Sequence, residues 1–487
     1  GTRVYASASG SSSVAGPIAS AAPNATGDKF EITLTGSDTK YEIPIVSGLA
    51  CAITEPTLEE GFWIVPTNTG ATTSIDLKGE AVLISAPEGW TVTASIDNSN
   101  PTTLSVTPPN QDGAEGIIIL QVHKGLHWAV DQIKVRSKKV ITSWYQEFLA
   151  GTEIVVNDVT IKKGSADNKV VINGEEVDLN VTSITTDNNT GITADGLYFI
   201  EAGLDVAYSN TGTGNKILIN DSPTGEKPVV TCSNNNFALE DANFLCKNVK
   251  LILEGNKEFL NVTNVASSVM FDGCYIDIPS TSPQCFLNTE KAVINDFYIR
   301  NSCFDIKRAT SYYILNVKAT TETNVVFPKV RVENSKFYSA APLTDFRLVS
   351  VNNNNGNDKN IGVTTLSLKQ NTFLDVSGRF NGMINGTIEN AAVEKNIFYM
   401  KNAVANVTIF RVRGNLPDAL TCTGNFSDNI GCIADTYTLK LWHGGTSPLD
   451  GAEDVTVLQE SPFESLSEPN GMYVLKPKYQ GYGATIE

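Results

Sequence analysis

Two hydrophobic patterns divide the chain. Between residues 29 and 138, short runs that alternate apolar and polar positions recur: FEITL, YEIPIV, FWIVP, AVLISA, WTVTASI, TLSVTP, GIIILQV and QIKVRS. Alternation at period two puts one face of each run in a core and the other in solvent, which predicts β-strands. Turn formers such as Pro87-Glu88-Gly89 separate the runs. About seven or eight strands punctuated this way fit an immunoglobulin-like β-sandwich over residues 29–138, with Trp90 in its core. His123 and His127, four apart on strand or turn, read as surface histidines. Spacing or docking is the expected task of this part.

Between residues 243 and 429 a different pattern repeats: alternating residues, a polar or Asn/Gly corner, then an aromatic one to three positions on. It reads FLCKNVKL, MFDGCYIDI, YIRNSCFDI, VRVENSKFYS, LSLKQNTFLDV, VEKNIFYM and TCTGNFSDN. Aligned on the aromatic, the positions are Tyr275, Phe304, Phe337, Phe373, Phe398 and Phe426, spaced by about 30 residues, in the range of solenoid repeats. FRLVSV, TIFRVRG and YYILNV alternate at period two with β-branched residues, and no window shows the three-and-four spacing of a helix face. Propeller blades would be longer and carry their own signature. Each unit offers a strand such as FRLVSV, a variable loop such as residues 352–359, a second strand such as TTLSLK, an Asn corner and a third strand. That is one turn of a right-handed parallel β-helix. The helix is expected over residues 139–487, with a lead-in at 139–195, coils at 196–435 and a carboxyl-terminal cap at 436–487.

The corners support this reading. Asn248, Asn301, Asn334, Asn371 and Asn396 fall at or near one bend, and Asn tolerates the left-handed backbone that a bend needs. Stacked about 4.8 Å apart, their amides form a ladder along the coils. The aromatic positions form an interior column, since burying each ring stabilises by about 2 to 3 kcal/mol. Cys274 and Cys303 each precede a column aromatic and are expected on adjacent coils, as free thiols in preference to a bridge. The other cysteines, Cys51, Cys232, Cys246, Cys285, Cys422 and Cys432, show no paired C-x-x-C spacing, so no zinc site is expected.

Composition agrees. The 487 residues include 45 asparagines, 39 of them within residues 151–430, which excludes a helical bundle there. With 36 basic against 53 acidic residues and a net charge of −17, the chain has no basic cluster for nucleic acid or an anionic membrane. No apolar run approaches the roughly 18 residues of a membrane span. Residues 6–25 are almost wholly Ser, Ala, Gly, Pro and Val, so residues 1–28 read as a flexible tether. Because the chain starts at Gly1 without a Met, export to the outer cell surface or periplasm is expected, with a lipid anchor on the tether as one route.

A family resemblance follows from particular segments. Ala86-Pro87-Glu88-Gly89-Trp90, and the run on through Val135, resemble Ig-like modules of surface proteins in Gram-negative gut anaerobes. The coils look like the pectate-lyase-like group. More narrowly, Gly196-Leu197-Tyr198-Phe199-Ile200-Glu201-Ala202-Gly203, Lys216-Ile217-Leu218-Ile219 and Lys227-Pro228-Val229-Val230 resemble uncharacterised proteins in which an Ig-like module precedes such a helix. The tail from Ser461-Pro462-Phe463 to Tyr473-Val474-Leu475, with Gly481 and Gly483, is similar to theirs. The resemblance implies an all-β protein, a pectin-lyase-like right-handed parallel β-helix preceded by an Ig-like β-sandwich, and specifies chemistry far less than fold.

Catalytic signatures of that fold are missing. The Asn-Thr-Asp, paired Asp, Gly-His-Gly and Arg-Ile-Lys elements of polygalacturonase-like hydrolases are absent, and His443-Gly444-Gly445 reads as a loop. Calcium-dependent lyases need clustered carboxylates and an Arg or Lys base. No dense cluster stands in the sequence, so no cofactor is expected, with calcium entering only if the protein is a lyase. Asp305 and Asp375 read as turn residues. The strands beside the long loops carry Tyr312, Tyr313, Asn316, Asp345, Arg347, Arg411 and Arg413, a lining suited to acidic or neutral glycan through carboxylate contacts and ring stacking. The leading expectation is a monomeric, surface-tethered protein that binds or processes polysaccharide, binding ahead of catalysis. The rivals are an atypical uronic-acid polysaccharide lyase or glycoside hydrolase, and an adhesin or structural stalk.

Overall fold

The computed structural model describes residues 18–26, 29–44, 49–54, 56–97, 100–233, 237–255, 257–262, 264–343, 345–351, 360–376, 382–411, 423–442, 453–467 and 471–486. Expectations for Arg413, Cys422, the 352–359 loop and His443-Gly444-Gly445 lie outside these residues. The chain divides into two compact units, Gly1–Val140 and Ile141–Glu487, both built mainly of strands.

In the first unit, Ala50–Ile53, Ala71–Lys78, Asn100–Thr107 and Thr91–Asp97 form a four-stranded sheet in that order. Leu58–Glu59, Phe62–Pro66, His127–Lys138, Glu115–Lys124 and Ala81–Ser85 form a five-stranded one. Period-two alternation sends Ile75, Leu77, Leu104 and Val106 of the first, and Val65, Ile118, Leu120, Val122 and Val135 of the second, into one core with Trp90. Two expected members of this core behave differently. Lys29–Leu34 pairs instead with Ile18–Pro23 on one side and Lys40–Pro44 on the other, in a separate antiparallel sheet. Ile18–Pro23 falls in the presumed tether, yet it forms a strand with every side chain exposed, because pairing there draws on backbone groups rather than burial.

In the second unit the chain visits three parallel sheets in rotation. The first runs from Val181–Ile184 to Thr423–Ser427 and the second from Asn188–Ile192 to Thr456–Val457. The third runs from Phe237–Leu239 to Leu439–Trp442. They hold 10, 11 and 8 strands, and every neighbouring pair within them is parallel, a path compatible with a parallel β-helix. Inward side chains of all three merge in one continuous apolar cluster from Ile184 to Val455.

The corner between the first and second sheets contains two asparagine columns where one was expected. Asn248, Asn301, Asn334, Gln370, Lys395 and Asp428 hold the left-handed backbone, with φ between 44° and 57°. The following residue turns inward: Ser302, Ser335, Asn371 and Asn396 are fully buried and Asn429 nearly so. Each inner side chain accepts the backbone N–H of the coil before it. Asn396 Oδ1 takes both the N–H and Nδ2 of Asn371 at 3.0 Å, and Asn396 Nδ2 donates to Leu368 O at 2.8 Å and Asn429 Oδ1 at 2.9 Å. Asn371 and Asn396 therefore belong to a different column from Asn248, Asn301 and Asn334.

The aromatic column is real over four coils. Phe304, Phe337, Phe373 and Phe398 are in register, with near-parallel rings 4.8, 5.4 and 5.2 Å apart. Tyr275 and Phe426 do not join it. Tyr275 pairs with Cys303, so Ile276 is the inward residue beneath Phe304. Phe426 belongs to the first sheet opposite Val393, where it meets Trp442 at 5.0 Å. The same offset separates the two cysteines: Cys274 lies in the interior cluster and Cys303 in a cluster on the outer side, both as free thiols.

Two coverings lie on the coils. An antiparallel sheet of Ile154–Val156, Val159–Lys163, Lys169–Ile172 and Glu175–Asp178 packs Ile154, Val156, Ile161 and Val170 on Leu197, Phe199, Ile217, Leu245 and Met270 of the first sheet. Gly196–Ile200 and Lys216–Asn220 are consequently buried on both faces. Lys216 remains tolerable there because its Nζ donates to Asp195 Oδ1 and Ala238 O, each at 2.9 Å. On the second sheet, the hairpin of Phe463–Ser467 and Met472–Leu475 and the residues after it cover Cys303, Tyr338, Leu374 and Ile397. Among the described residues, no helix is long and apolar enough to cross a membrane.

Candidate functional site on the third sheet

The apolar clusters that bind the two coverings to the coils draw on the first and second sheets and omit the third. The outer face of the third sheet is where the expected groove residues gather. Ser311–Val317 pairs with Asp345–Val351 so that Tyr313 stands beside Arg347 and Asn316 beside Ser350. Asn288 precedes Asn316 in this column, and Asn385 is in register with Arg411 further along. Alternation decides which of two adjacent tyrosines faces out. Tyr312, expected in the groove, points inward: it is 1 % exposed and part of the interior cluster opposite Phe346.

Tyr313, Asp345 and Arg347 form one polar cluster. Arg347 donates Nε to Asp345 Oδ1 at 3.0 Å and Nη2 to Oδ2 at 2.9 Å, a bidentate pair, and Nη1 to Ser350 Oγ at 3.1 Å. Its guanidinium lies 4.7 Å from the Tyr313 ring centre, and the Tyr313 hydroxyl donates to Asp345 Oδ2 at 2.8 Å. Burial, reinforced by that bond to Asp345 and opposed by Arg347, pushes the Tyr313 phenol up to about 12. Three of the five guanidinium N–H groups are thus taken, and the Nε–Nη2 fork of Arg347 is occupied by Asp345 and closed to a ligand carboxylate.

The neighbouring column is amide-rich. Asn316 Nδ2 donates to Asn288 Oδ1 at 2.8 Å. Asn385 is 0 % exposed, and neither its Oδ1 nor its Nδ2 has a partner among the described residues. Arg411, partly exposed, stands directly beside it in register.

A second cluster, which sequence reasoning missed, lies on the outer face of the second sheet. The Tyr275 hydroxyl donates to Asp305 Oδ2 at 2.9 Å and lies 3.2 Å from the Tyr338 hydroxyl, while Lys307 Nζ bridges to both oxygens of Asp277 at 2.7 Å. Asp305 is thus a buried strand residue and not a turn residue. Asp375 does hold a left-handed bend, at φ 53°, and accepts the Asn402 N–H at 2.8 Å. Burial raises both phenols, so Tyr275 and Tyr338 stay protonated donors and the cluster acts as a clamp between coils. Its signal was the spacing Tyr275-Ile276-Asp277, repeated as Cys303-Phe304-Asp305.

Among the described residues, no group of three or more His, Cys, Asp or Glu side chains is placed to hold a metal ion. No protein family, curated protein or solved structure matches the chain.

Proposed function

We propose that the second unit is a right-handed parallel β-helix of the pectate-lyase-like kind, that the first carries an Ig-like sandwich, and that this exported, surface-tethered protein binds polysaccharide on the third sheet. The observation that carries the reading is the polar column Asn288, Asn316, Ser350, Asn385 and Arg411 on the sheet that neither covering occupies. A buried polar group without a partner costs about 1 to 3 kcal/mol. Asn385, buried and with no partner among the described residues, carries that cost beside Arg411. Sugar hydroxyls answer the partly exposed amides of Asn288 and Asn316, and a uronate carboxylate answers Arg411. Binding ranks ahead of cleavage because Asp345 and Arg347 are committed to each other, leaving neither as a free acid or base.

A glycan array run with the parent protein and Arg411→Ala tests this. Weaker retention by the variant at an unchanged melting temperature is expected, and equal binding removes the site. Incubation with uronic-acid polymers covers the rival activity, since elimination creates an ultraviolet-absorbing conjugated double bond; a steady rise in absorbance would replace binding with lyase catalysis. A parent protein that retains no glycan would leave the stalk.

A further inference from the structure

We infer that the outward face of the five-stranded sheet in the first unit is a second carbohydrate-binding surface, for neutral glycan. It stands on observations in that unit alone, so it fails or holds independently of the third-sheet site. Because Ile118, Leu120, Val122, Ile133 and Val135 point into the core, the alternate residues point out. The register arranges them in three rows across three strands. Ala81, His123 and Trp128 form one, Leu83, Gln121 and Val130 the next, and Ser85, Ile119 and Gln132 the third. None of these three rows carries an Asp, Glu, Lys or Arg, and the charged side chains of Lys134, Glu115 and Arg136 stand in the two rows beyond them.

Trp128 is 60 % exposed, with Leu83 and Val130 each 58 %. Exposed indole and aliphatic surface on a sheet, in place of a loop, is costly in water and marks an interaction site. The Trp128 ring is braced by His123, whose centre lies 4.8 Å away at a 38° tilt, so its orientation is fixed before anything binds. The covered His123 Nδ1 has no partner among the described residues, which leaves the stacking contact to hold the ring. Amides alternate with this apolar surface: Gln121 beside Val130 and Gln132 beside Ile119. A sugar ring has the same division, with C–H faces that lie on indole and a rim of hydroxyls that exchange hydrogen bonds with amides.

Gln132 also borders a recess of about 660 Å³ at the edge of this strand, whose walls Ile53, Asp131 and Ile133 belong to the inward side. The Asp131 carboxylate there accepts the backbone N–H groups of Ile53 at 2.8 Å and Gln132 at 2.9 Å and is the one charged side chain among the described residues that line the recess. From Trp128 to Gln132 the strand advances about 13 Å, the length of a short oligosaccharide. The uncharged strip selects a neutral polymer over a polyuronate, a nucleic acid or an anionic lipid surface.

Affinity electrophoresis of the full chain through gels containing a β-glucan, a xylan, a mannan or a polyuronate provides the test. At least one neutral polymer is expected to retard the parent protein. Trp128→Ala should weaken that retention about tenfold, and Gln121→Ala should weaken it less. No retardation by any neutral polymer, or equal retardation of the parent and Trp128→Ala, overturns the proposal. Sedimentation velocity on both proteins covers the other occupant: a dimer that Trp128→Ala abolishes would assign this face to a second copy of the chain and overturn the glycan assignment.

Discussion

The corner between the first and second sheets and the passages around the third sheet obey different rules. From Asn301 onward the corner is always one left-handed residue and one buried residue: Asn301 and Ser302, Asn334 and Ser335, Gln370 and Asn371, Lys395 and Asn396, Asp428 and Asn429. Passages into the third sheet vary, from the single position between Leu343 and Asp345 to the stretches from Ile306 to Ser311 and from Val376 to Ile384. The corner is bonded to the coils above and below, so an inserted residue there breaks contacts with two neighbours. Passages that differ in length from coil to coil follow no such rule, and loops of this kind accept change and carry recognition. Constancy at one corner thus supplies the rigid frame on which a variable face can be built.

The strongest way to break this contrast is to remove the frame. Phe373→Ala takes out a fully buried ring stacked on both sides by Phe337 and Phe398, and a loss of about 3 to 5 kcal/mol is expected. Asn396→Ala should follow at about 3 kcal/mol, because it leaves the Asn371 N–H and Leu368 O buried without their partners. Asn334→Ala, in the outer column, removes bonds to Asn301 and Thr485 that lie nearer solvent, and about 1 to 2 kcal/mol is expected. Urea denaturation of the three variants reads this order directly. If Asn334→Ala proves as damaging as Asn396→Ala, the distinction between an inner and an outer column collapses.

How far the sequence revealed this frame depends on register. Phe304, Phe337, Phe373 and Phe398 were legible because a large apolar side chain recurs after each corner. Tyr275 was misread because alignment on the aromatic ignored that the corner there is Gly273 and Cys274, which makes Ile276 the inward residue. A shift of one position moves a strand residue to the opposite face, so the error also hid the Asp305 cluster. The same ambiguity put Tyr312 in the groove beside Tyr313. The antiparallel covering sheet left a local trace in Asn173-Gly174, whose φ values of 49° and 87° suit a tight hairpin turn. What it covers left only an indirect trace, the unbroken apolar runs at Gly196–Ile200 and Lys216–Asn220, because tertiary packing of separated segments has no local pattern.

The third-sheet face offers a smaller, pH-dependent effect. The Tyr313 phenol, pushed up to about 12, lies above its ordinary value of about 10. A raised folded-state pKa means that its stabilising contribution is complete below about pH 10 and is lost as the pH rises toward about 12. Tyr313→Phe should cost about 1 kcal/mol at neutral pH through the lost bond to Asp345. It should also lose less stability than the parent between about pH 10 and 12. Identical alkaline unfolding curves would show that the cluster around Arg347 does not depend on this hydroxyl.

The smallest expected effect sharpens the comparison from the side of the frame. Lys395 is exposed and holds the left-handed backbone at φ 56°, a conformation that costs an ordinary side chain roughly 1 to 2 kcal/mol. Its corner bonds are made by the backbone, from its N–H to Ser427 O at 3.2 Å and from the Gly483 N–H to its own carbonyl at 2.8 Å. Lys395→Asn keeps both while installing a residue that tolerates the bend, so a gain of about 0.5 to 1 kcal/mol is expected. Lys395→Gly should gain less, since glycine adds conformational freedom to the unfolded chain. Thermal unfolding of the two variants separates these effects: if both fall below the parent, Lys395 stabilises the corner through its side chain, and the two-residue rule would describe its geometry without explaining its constancy.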